Sequence, residues 1–315
     1  MKENWVIKIG SSLVTKGNTG LDNKNIKNWT KQINELVKNN IKVIIVSSGA
    51  IAEGMNRLGL KKRPSSSSEL QALASIGQMG LIQAYETAFK KYNILTAQML
   101  LTHEDLSNRE RYLNAKNTLN NLMGLNVIPI INENDSVSTD EIKFGDNDTL
   151  ASLVANLSSA NLLVMLTDQD GLFNKDPKKE RNAELIESIS VSDKNLGKYA
   201  GPSSSAKGRG GMITKIIAAK KAAKSNTQTI IANGRKKDIL INILNDKKDI
   251  GTKIYNKSSG VKSKKQWIAN SSKVKGKLIV DLGAKKVIKN SGKSLLPIGI
   301  KSFDGIFQKG DVVAI

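Results

Sequence analysis

Short runs of apolar, often β-branched residues alternate with helix-patterned segments over the first two-thirds of the chain. The run Ile41–Val46 is apolar apart from Lys42, as expected of a parallel strand that is buried on both faces. Lys24–Val37 instead places its apolar residues three or four positions apart, the spacing of an amphipathic helix. Strands that alternate with helices form βαβ units, so the sequence predicts a three-layer αβα sandwich with a mostly parallel open sheet. Further strands are predicted at Trp5–Ile9, Ile94–Leu100, Val127–Ile131, Leu162–Leu166 and Thr229–Ala232, and helices from Ala50 and at Leu70–Phe89, Arg109–Met123, Asn147–Leu157 and Gly211–Lys224.

A change of composition divides the chain near its end. Residues 256–265, NKSSGVKSKK, are almost all polar or small, which is typical of a linker. Two short strand-like runs follow, Lys277–Val280 and Gly299–Lys301, around a predicted helix at Ala284–Lys289. We therefore predict a large domain over residues 1–255, a linker over 256–265 and a small segment over 266–315.

The composition excludes several classes of site. There is no cysteine, which excludes disulfides, thiolate zinc sites and a cysteine nucleophile and is typical of a cytoplasmic protein. The single histidine, His103, cannot form a histidine metal cluster. No apolar run reaches the roughly 18 residues of a membrane helix, and the N-terminus lacks an export signal. We expect a cytoplasmic protein without a membrane segment.

The net charge of +21 has two interpretations. A basic surface can bind nucleic acid or another polyanion. It can also be a solvated surface rich in lysine, which affects solubility more than function. Lysine far outnumbers arginine here and few aromatic residues lie among the charges, which favours the second interpretation.

Polar or glycine-rich stretches follow four of the predicted strands, and a fifth precedes a predicted helix. In open parallel sheets, ligands bind beyond the carboxyl ends of the strands. Glycines and small residues at helix starts let backbone N–H groups approach an anion. Each motif alone is typical of an ordinary turn, but together they predict a binding site at one sheet edge. The five stretches are Lys8–Ser12, Ser47–Ala50, residues 131–148, Thr167–Gly171 and Gly208–Lys215.

The order of the motifs KIGSS, VSSGAI, INENDSV, FGDND, LLTDQDGLF and GGMITK resembles the amino-acid kinase family. The resemblance covers Val6 to about Ile254, and INENDSVSTDEIKFGDND is its most specific element. It implies the fold of that family and ATP-dependent phosphorylation of the γ-carboxylate of L-glutamate to γ-glutamyl 5-phosphate, the first step of proline biosynthesis. It also implies Mg²⁺ as a cofactor, a homodimer or homotetramer, and feedback inhibition by proline.

The tail resembles the beginning of a PUA domain, a small RNA-binding-type β fold. The similar segments are GKLIVDLGA from Gly276 and SLLP from Ser294. Since the sequence ends at Ile315, before such a domain would be complete, we expect a partial PUA-like β segment. This argues against RNA binding by the tail.

The resemblance also implies a role for individual residues. Lys8 and Lys215 would contact the ATP phosphates as catalytic residues, and Asp148 would lie between the two lysines and hold them. No residue is assigned to a metal ion. The substrate-binding residues would be Ser48, Gly49, Asp135 and Asn147. The ATP-binding residues would be Lys8, Gly10, Ser11, Thr167, Asp168, Arg209, Gly210, Gly211, Met212, Ile213, Thr214 and Lys215.

The chemistry of phosphoryl transfer is consistent with these roles. Such a transfer needs positioning and charge stabilisation more than covalent chemistry, and two lysines can supply both. The carboxylate of glutamate is already ionised at pH 7, because an unperturbed glutamate pKa is about 4.3, so no general base is needed. Glutamate also carries an ammonium group, which a carboxylate such as Asp135 can pair with. The alternative for residues 131–148 is a solvated hairpin.

Two other functions remain open. The chain could be another member of the family, acting on acetylglutamate or on uridylate. An acetylated amine would offer no positive charge to Asp135, and a nucleotide acceptor would favour arginines, which are scarce. From a different class, it could be an RNA-binding protein that uses its basic surface and the PUA-like tail.

Overall fold

The computed structural model describes residues 3–17, 20–138, 147–177, 179–200, 211–256, 274, 276–291, 294–307 and 313–315. Its larger sheet has eight strands in the order β3-β4-β2-β1-β5-β7-β8-β6. The first six in this order run parallel to one another, whereas β8 pairs antiparallel with β7 and β6 follows the direction of β8. The strands are β1 Asn4–Ile9, β2 Lys42–Ser47, β3 Thr96–Leu101, β4 Ile128–Glu133, β5 Leu162–Thr167, β6 Ser188–Ser190, β7 Gln228–Asn233 and β8 Thr252–Tyr255.

Helices cover both faces of this sheet. One hydrophobic cluster packs α5 to α8 against one face, and a second packs α1, α2, α4 and α9 against the other. Successive strand residues contribute to opposite clusters, because side chains alternate along a strand. The helices are α1 Ser11–Val14, α2 Asn23–Lys38, α3 Ala50–Arg57, α4 Ser67–Lys90, α5 His103–Ser107, α6 Arg109–Gly124, α7 Asn147–Leu157, α8 Met212–Ala223 and α9 Ile239–Leu244.

The central strands are apolar because both of their faces are covered. All six residues of β4 and of β5 are buried, as are five of the six residues of β1 and of β2. This is the burial expected of continuous apolar runs in a parallel sheet. The predicted three-layer αβα sandwich with a mostly parallel sheet is confirmed.

Helices α3 and α4 touch backbone to backbone. A methyl group on Gly77 of α4 would collide with the carbonyl oxygen of Ala50, and one on Gly54 of α3 would collide with that of Leu73. Only glycine at both positions permits this approach, which fixes the start of α3 against α4.

The tail forms a second, smaller sheet. Its order is β10-β9-β11, in which β10 is antiparallel and β11 parallel to β9. The predicted helix in this segment is present and somewhat longer than expected. The elements are β9 Gly276–Val280, α10 Leu282–Ser291, β10 Ile300–Gly305 and β11 Val313–Ala314.

Every strand and helix that the periodicity predicts before residue 256 is present, with ends that shift by a few residues. Six elements were not predicted, all of them six residues or shorter: α1, α5, α9, β6, β8 and β11. Of the predicted linker, only Asn256 is among the described residues. No helix in the described ranges has the length and apolar character needed to cross a membrane.

Candidate active site

The carboxyl ends of four neighbouring parallel strands and the starts of two helices meet at one edge of the sheet. Strands β4, β2, β1 and β5 are adjacent in this order, so the residues that follow them lie side by side. Helix α7 begins at Asn147, and α8 begins at Met212 after Gly211 as its N-cap. Most of the predicted motifs therefore converge, as expected for an open parallel sheet.

Two lysines share one carboxylate at the centre of this edge. Lys8 Nζ lies 2.6 Å from Asp148 Oδ1, and Lys215 Nζ lies 3.1 Å from Asp148 Oδ2. The three side chains are 8%, 5% and 1% exposed for Lys8, Lys215 and Asp148, respectively, so water screens their charges little. The group carries more positive than negative charge and is suited to receive an anion.

Asp148 is held in its ionised form by its surroundings. Burial alone would raise the pKa of its carboxyl group, but the charges of Lys8 and Lys215 and hydrogen bonds from Lys8 and Thr214 hold the pKa well below its ordinary value. Thr214 Oγ1 lies 2.7 Å from Asp148 Oδ2 and 2.7 Å from the carbonyl oxygen of Gly211. Asp148 is also the second residue of α7, where the helix dipole favours a negative charge.

Asn147 joins the lysine group to the start of α3. Its Nδ2 donates to Ser48 Oγ at 2.8 Å, to Asn132 Oδ1 at 2.9 Å and to the carbonyl oxygen of Ser47 at 3.2 Å. Gly49, the N-cap of α3, has a φ of 115°, a left-handed conformation that glycine adopts without strain. The structure thus brings Ser48, Gly49 and Asn147 together beside Asp148.

Asp135 lies in the turn that leaves β4. The hydroxyl groups of Ser75 and Ser136 are 2.9 Å apart, and Gln71 Nε2 donates to the carbonyl oxygen of Ser138 at 3.1 Å. These bonds tie the turn to α4. Asp135 itself is partly buried, and the remainder of the acidic run, residues 139–146, lies outside the described residues.

The predicted nucleotide-binding residues are only partly gathered. Gly10 N donates to the carbonyl oxygen of Leu166 at 3.3 Å, which places the end of β1 beside the end of β5. Thr167 is buried at the end of β5, whereas Asp168 is exposed, as is Ser11 in α1. Gly211, Met212 and Ile213 lead into α8, and Arg209 and Gly210 lie outside the described residues.

Two residues of α4 that support the site, Gln78 and Tyr85, were not predicted from the sequence. Asn132 Nδ2 donates to Gln78 Oε1 at 2.9 Å, and the hydroxyl groups of Ser47 and Tyr85 are 3.0 Å apart. Burial raises the pKa of Tyr85, and its hydrogen bond with Ser47 opposes this only in part. Gln78 and Tyr85 lie on the buried side of α4, where a polar side chain within an apolar stripe was the only available signal.

The chain is similar to known proteins over nearly its whole length. The profile of the amino acid kinase family matches residues 3–233, and that of the PUA domain matches residues 276–315. The glutamate 5-kinase of Nitrosospira multiformis is 52% identical and covers 98% of this chain and 82% of that protein. The glutamate 5-kinase of Methylococcus capsulatus is also 52% identical, with the same coverage.

Two solved structures have a similar fold. The UMP kinase of Ureaplasma parvum superimposes with a TM-score of 0.56 at 18% identity, over 81% of this chain and 100% of that chain. The carbamate kinase of Giardia lamblia bound to AMP-PNP gives a TM-score of 0.58 at 17% identity, over 81% and 98%. At these identities the similarity concerns the fold alone.

Proposed function

Since this chain belongs to the amino acid kinase family, we propose that it transfers the γ-phosphoryl group of ATP to the γ-carboxylate of L-glutamate. The observation that carries the proposal is the carboxylate of Asp148 shared between the two buried lysines, Lys8 and Lys215. Relatives 52% identical over nearly the whole chain bear the name glutamate 5-kinase, which supports glutamate as the acceptor.

The lysines act on the phosphoryl group during transfer. An oxygen of the substrate carboxylate attacks the γ-phosphorus, the bond from this phosphorus to the bridging oxygen breaks, and ADP leaves with that electron pair. Lys8 and Lys215 neutralise charge on the transferring group, which is the main requirement of such reactions. Asp148 keeps the two ammonium groups apart and in fixed positions, so little reorganisation is needed when the nucleotide arrives.

The start of α3 and the β4 turn receive the amino acid. Backbone N–H groups after Gly49 and the hydroxyl of Ser48 donate to a substrate carboxylate, with the helix dipole adding to the attraction. Asp135 pairs with the substrate ammonium group. Asn147, adjacent to Asp148, places the acceptor next to the lysines.

In this proposal the nucleotide is held by Gly10, Ser11, Thr167, Asp168 and the segment from residue 209 to Lys215. Among the described residues, no cluster of three or more His, Cys, Asp or Glu side chains could hold a metal ion. A site without such a cluster is compatible with Mg²⁺ that would arrive bound to the ATP phosphates and keep several of its water ligands. When bound, the ion supplies further charge neutralisation on the phosphate oxygens.

The remaining proposals rest on the sequence. We propose a cytoplasmic homo-oligomer, a dimer or a tetramer, inhibited by proline, in which residues 1–255 carry the activity. The tail over residues 266–315 is proposed to contribute to assembly rather than to chemistry.

A side-by-side assay tests the activity. ADP release from ATP is measured with glutamate, N-acetylglutamate, aspartate or UMP as acceptor, and hydroxylamine is added to trap an acyl phosphate as its hydroxamate. We expect glutamate-dependent ADP release and a hydroxamate product. Release with N-acetylglutamate or UMP in preference to glutamate would assign the chain to another activity of the family.

A further inference from the structure

We propose that Gln78 is a positioning residue for the acceptor substrate, acting through Asn132 on the carboxamide of Asn147. We call Gln78, Asn132 and Asn147 the amide relay. The inference rests on the proposed function, because it explains how the site distinguishes an amino acid from a plain diacid.

The relay is a line of buried carboxamides in which each amide nitrogen donates a hydrogen bond to the oxygen of the next side chain. Asn147 Nδ2 donates to Asn132 Oδ1 at 2.9 Å, and Asn132 Nδ2 donates to Gln78 Oε1 at 2.9 Å. The three residues are 8%, 3% and 8% exposed in the order Asn147, Asn132 and Gln78. In such surroundings the direction of each bond is strongly specified, because a reversed amide would face donor to donor.

Both ends of the relay fix the orientation of Asn147. At one end the backbone carbonyl of Ser47 can only accept, so the nitrogen of Asn147 must face it. At the other end Gln78 holds Asn132 with its oxygen towards Asn147. The side chain of Asn147 bonds to the described residues through Nδ2, so its Oδ1 can accept a hydrogen bond from a ligand.

Gln78 lowers the folding stability at its position, which argues for a role beyond packing. Its Nε2 is buried without a hydrogen-bond partner among the residues that the structure describes. Burying a donor in this way lowers stability. The preceding residue, Gly77, lies directly against α3, so the helix cannot shift to relieve the cost.

The orientation of Asn147 has a chemical consequence. A carbonyl oxygen attracts an ammonium group but offers nothing favourable to an apolar methylene or a carboxylate. Glutamate presents such an ammonium group, whereas glutarate, the same diacid without the amine, does not. Gln78 therefore contributes to affinity for glutamate and not to affinity for glutarate.

Gln78→Met tests the inference with little change in shape. It removes one buried unpaired donor, Nε2, and creates another on Asn132, so the melting temperature should stay within a few degrees of the wild-type value. We expect glutamate KM to rise about tenfold, the loss of one charge-assisted hydrogen bond. The kcat, the KM for ATP and the inhibition constant of glutarate should each change less than about twofold. Gln83→Met, an exposed site on the same helix, is the matched control and should leave all four unchanged.

A double-mutant cycle separates positioning from general damage. If Gln78 acts through Asn147, Gln78→Met should have no further effect on glutamate KM when Asn147 is already Ala. Additive effects, an equal loss for glutarate, or an unchanged glutamate KM in Gln78→Met would each overturn the inference while leaving the proposed function standing. A wild-type chain that phosphorylates no glutamate would overturn both.

Discussion

A charge removed from water acts on its neighbours more strongly than the same charge at the surface. This is the situation of Lys8 and Lys215, which both contact Asp148 in a buried setting. Removing Asp148 leaves two buried ammonium groups without a counter-charge, whereas removing either lysine leaves one balanced ion pair. The effects on catalysis and on stability therefore differ between the lysines and the aspartate.

Lys215→Ala should lower kcat by roughly 10²–10³, the scale for loss of one preorganised charge stabiliser. Glutamate KM should change little, because the lysine acts mainly on the transition state. Steady-state kinetics with saturating ATP measure both constants. Lys220→Ala, an exposed lysine of the same helix, is the control, and a near-normal kcat in Lys215→Ala would contradict the assignment.

Asp148→Asn should destabilise the protein by about 3–5 kcal/mol at pH 7, since it leaves two buried lysines unpaired. The folded-state pKa of Asp148 lies below its unfolded value near 3.8, so its contribution is complete above that value and is lost as the pH falls below it. The difference in unfolding free energy between Asp148→Asn and wild type should therefore be about 1 kcal/mol smaller at pH 3 than at pH 7. Urea unfolding across this pH range measures it.

The control for this prediction is Asp246→Asn, which removes a carboxylate that is 83% exposed and 3.8 Å from Lys253. A surface pair of this kind contributes at most about 1 kcal/mol. If the difference in unfolding free energy between Asp148→Asn and wild type stays constant with pH, Asp148 is not ionised in the way described.

Residues at strand ends could be predicted from the sequence, whereas those that support them from behind could not. Lys8 and Asn147 belong to motifs whose position after or beside a strand indicates the sheet edge. Gln78 is one polar residue in a largely apolar helix, and its partner Asn132 lies far away in sequence. Only the packing of α4 beside β4 shows that they meet.

At the scale of elements, the pair α3 and α4 determines where the start of α3 lies. Gly77→Ala should destabilise the protein by about 3 kcal/mol, because the added methyl group meets backbone that cannot yield easily. It should also weaken glutamate binding by displacing Ser48 and Gly49. Thermal unfolding and glutamate KM are the measurements.

Gly124→Ala is the matched control for this prediction. Nothing lies within 4 Å of a methyl group at this helical position, so the change should be neutral or slightly stabilising. Equal stabilities for the two variants would show that α3 and α4 can separate without cost.

Elements with long periodic patterns were predicted, and short ones were not. Strand β8 has four residues and β6 has three, too few to show a period. Their antiparallel direction depends on pairing with β7, which no local pattern reveals. Helix α1 was also not predicted, because its four residues between Gly10 and Thr15 are too few to show a helical period.

For the whole molecule, the proposed division places all assigned residues before the tail. A chain truncated after Ser258 should therefore keep ATP-dependent glutamate phosphorylation, with kcat within about threefold of the full chain, because no assigned phosphate contact is removed. Its size by light scattering and its response to proline test whether the tail acts in assembly or regulation. A truncated chain that folds but transfers no phosphate would show that the tail belongs to the active site.

The strand order has a consequence for the synthesis of this protein. Strand β1 is made first, yet it lies between β2 and β5 in the finished sheet. While the ribosome is still producing α6, one edge of β1 has no partner, and an open apolar strand edge invites association with other chains. Lys8 and Lys215 share the carboxylate of Asp148 only once α8 has also emerged. The strand order that places the site at one sheet edge thus leaves the central strand β1 exposed during much of translation. We expect chaperones to be most important at that stage.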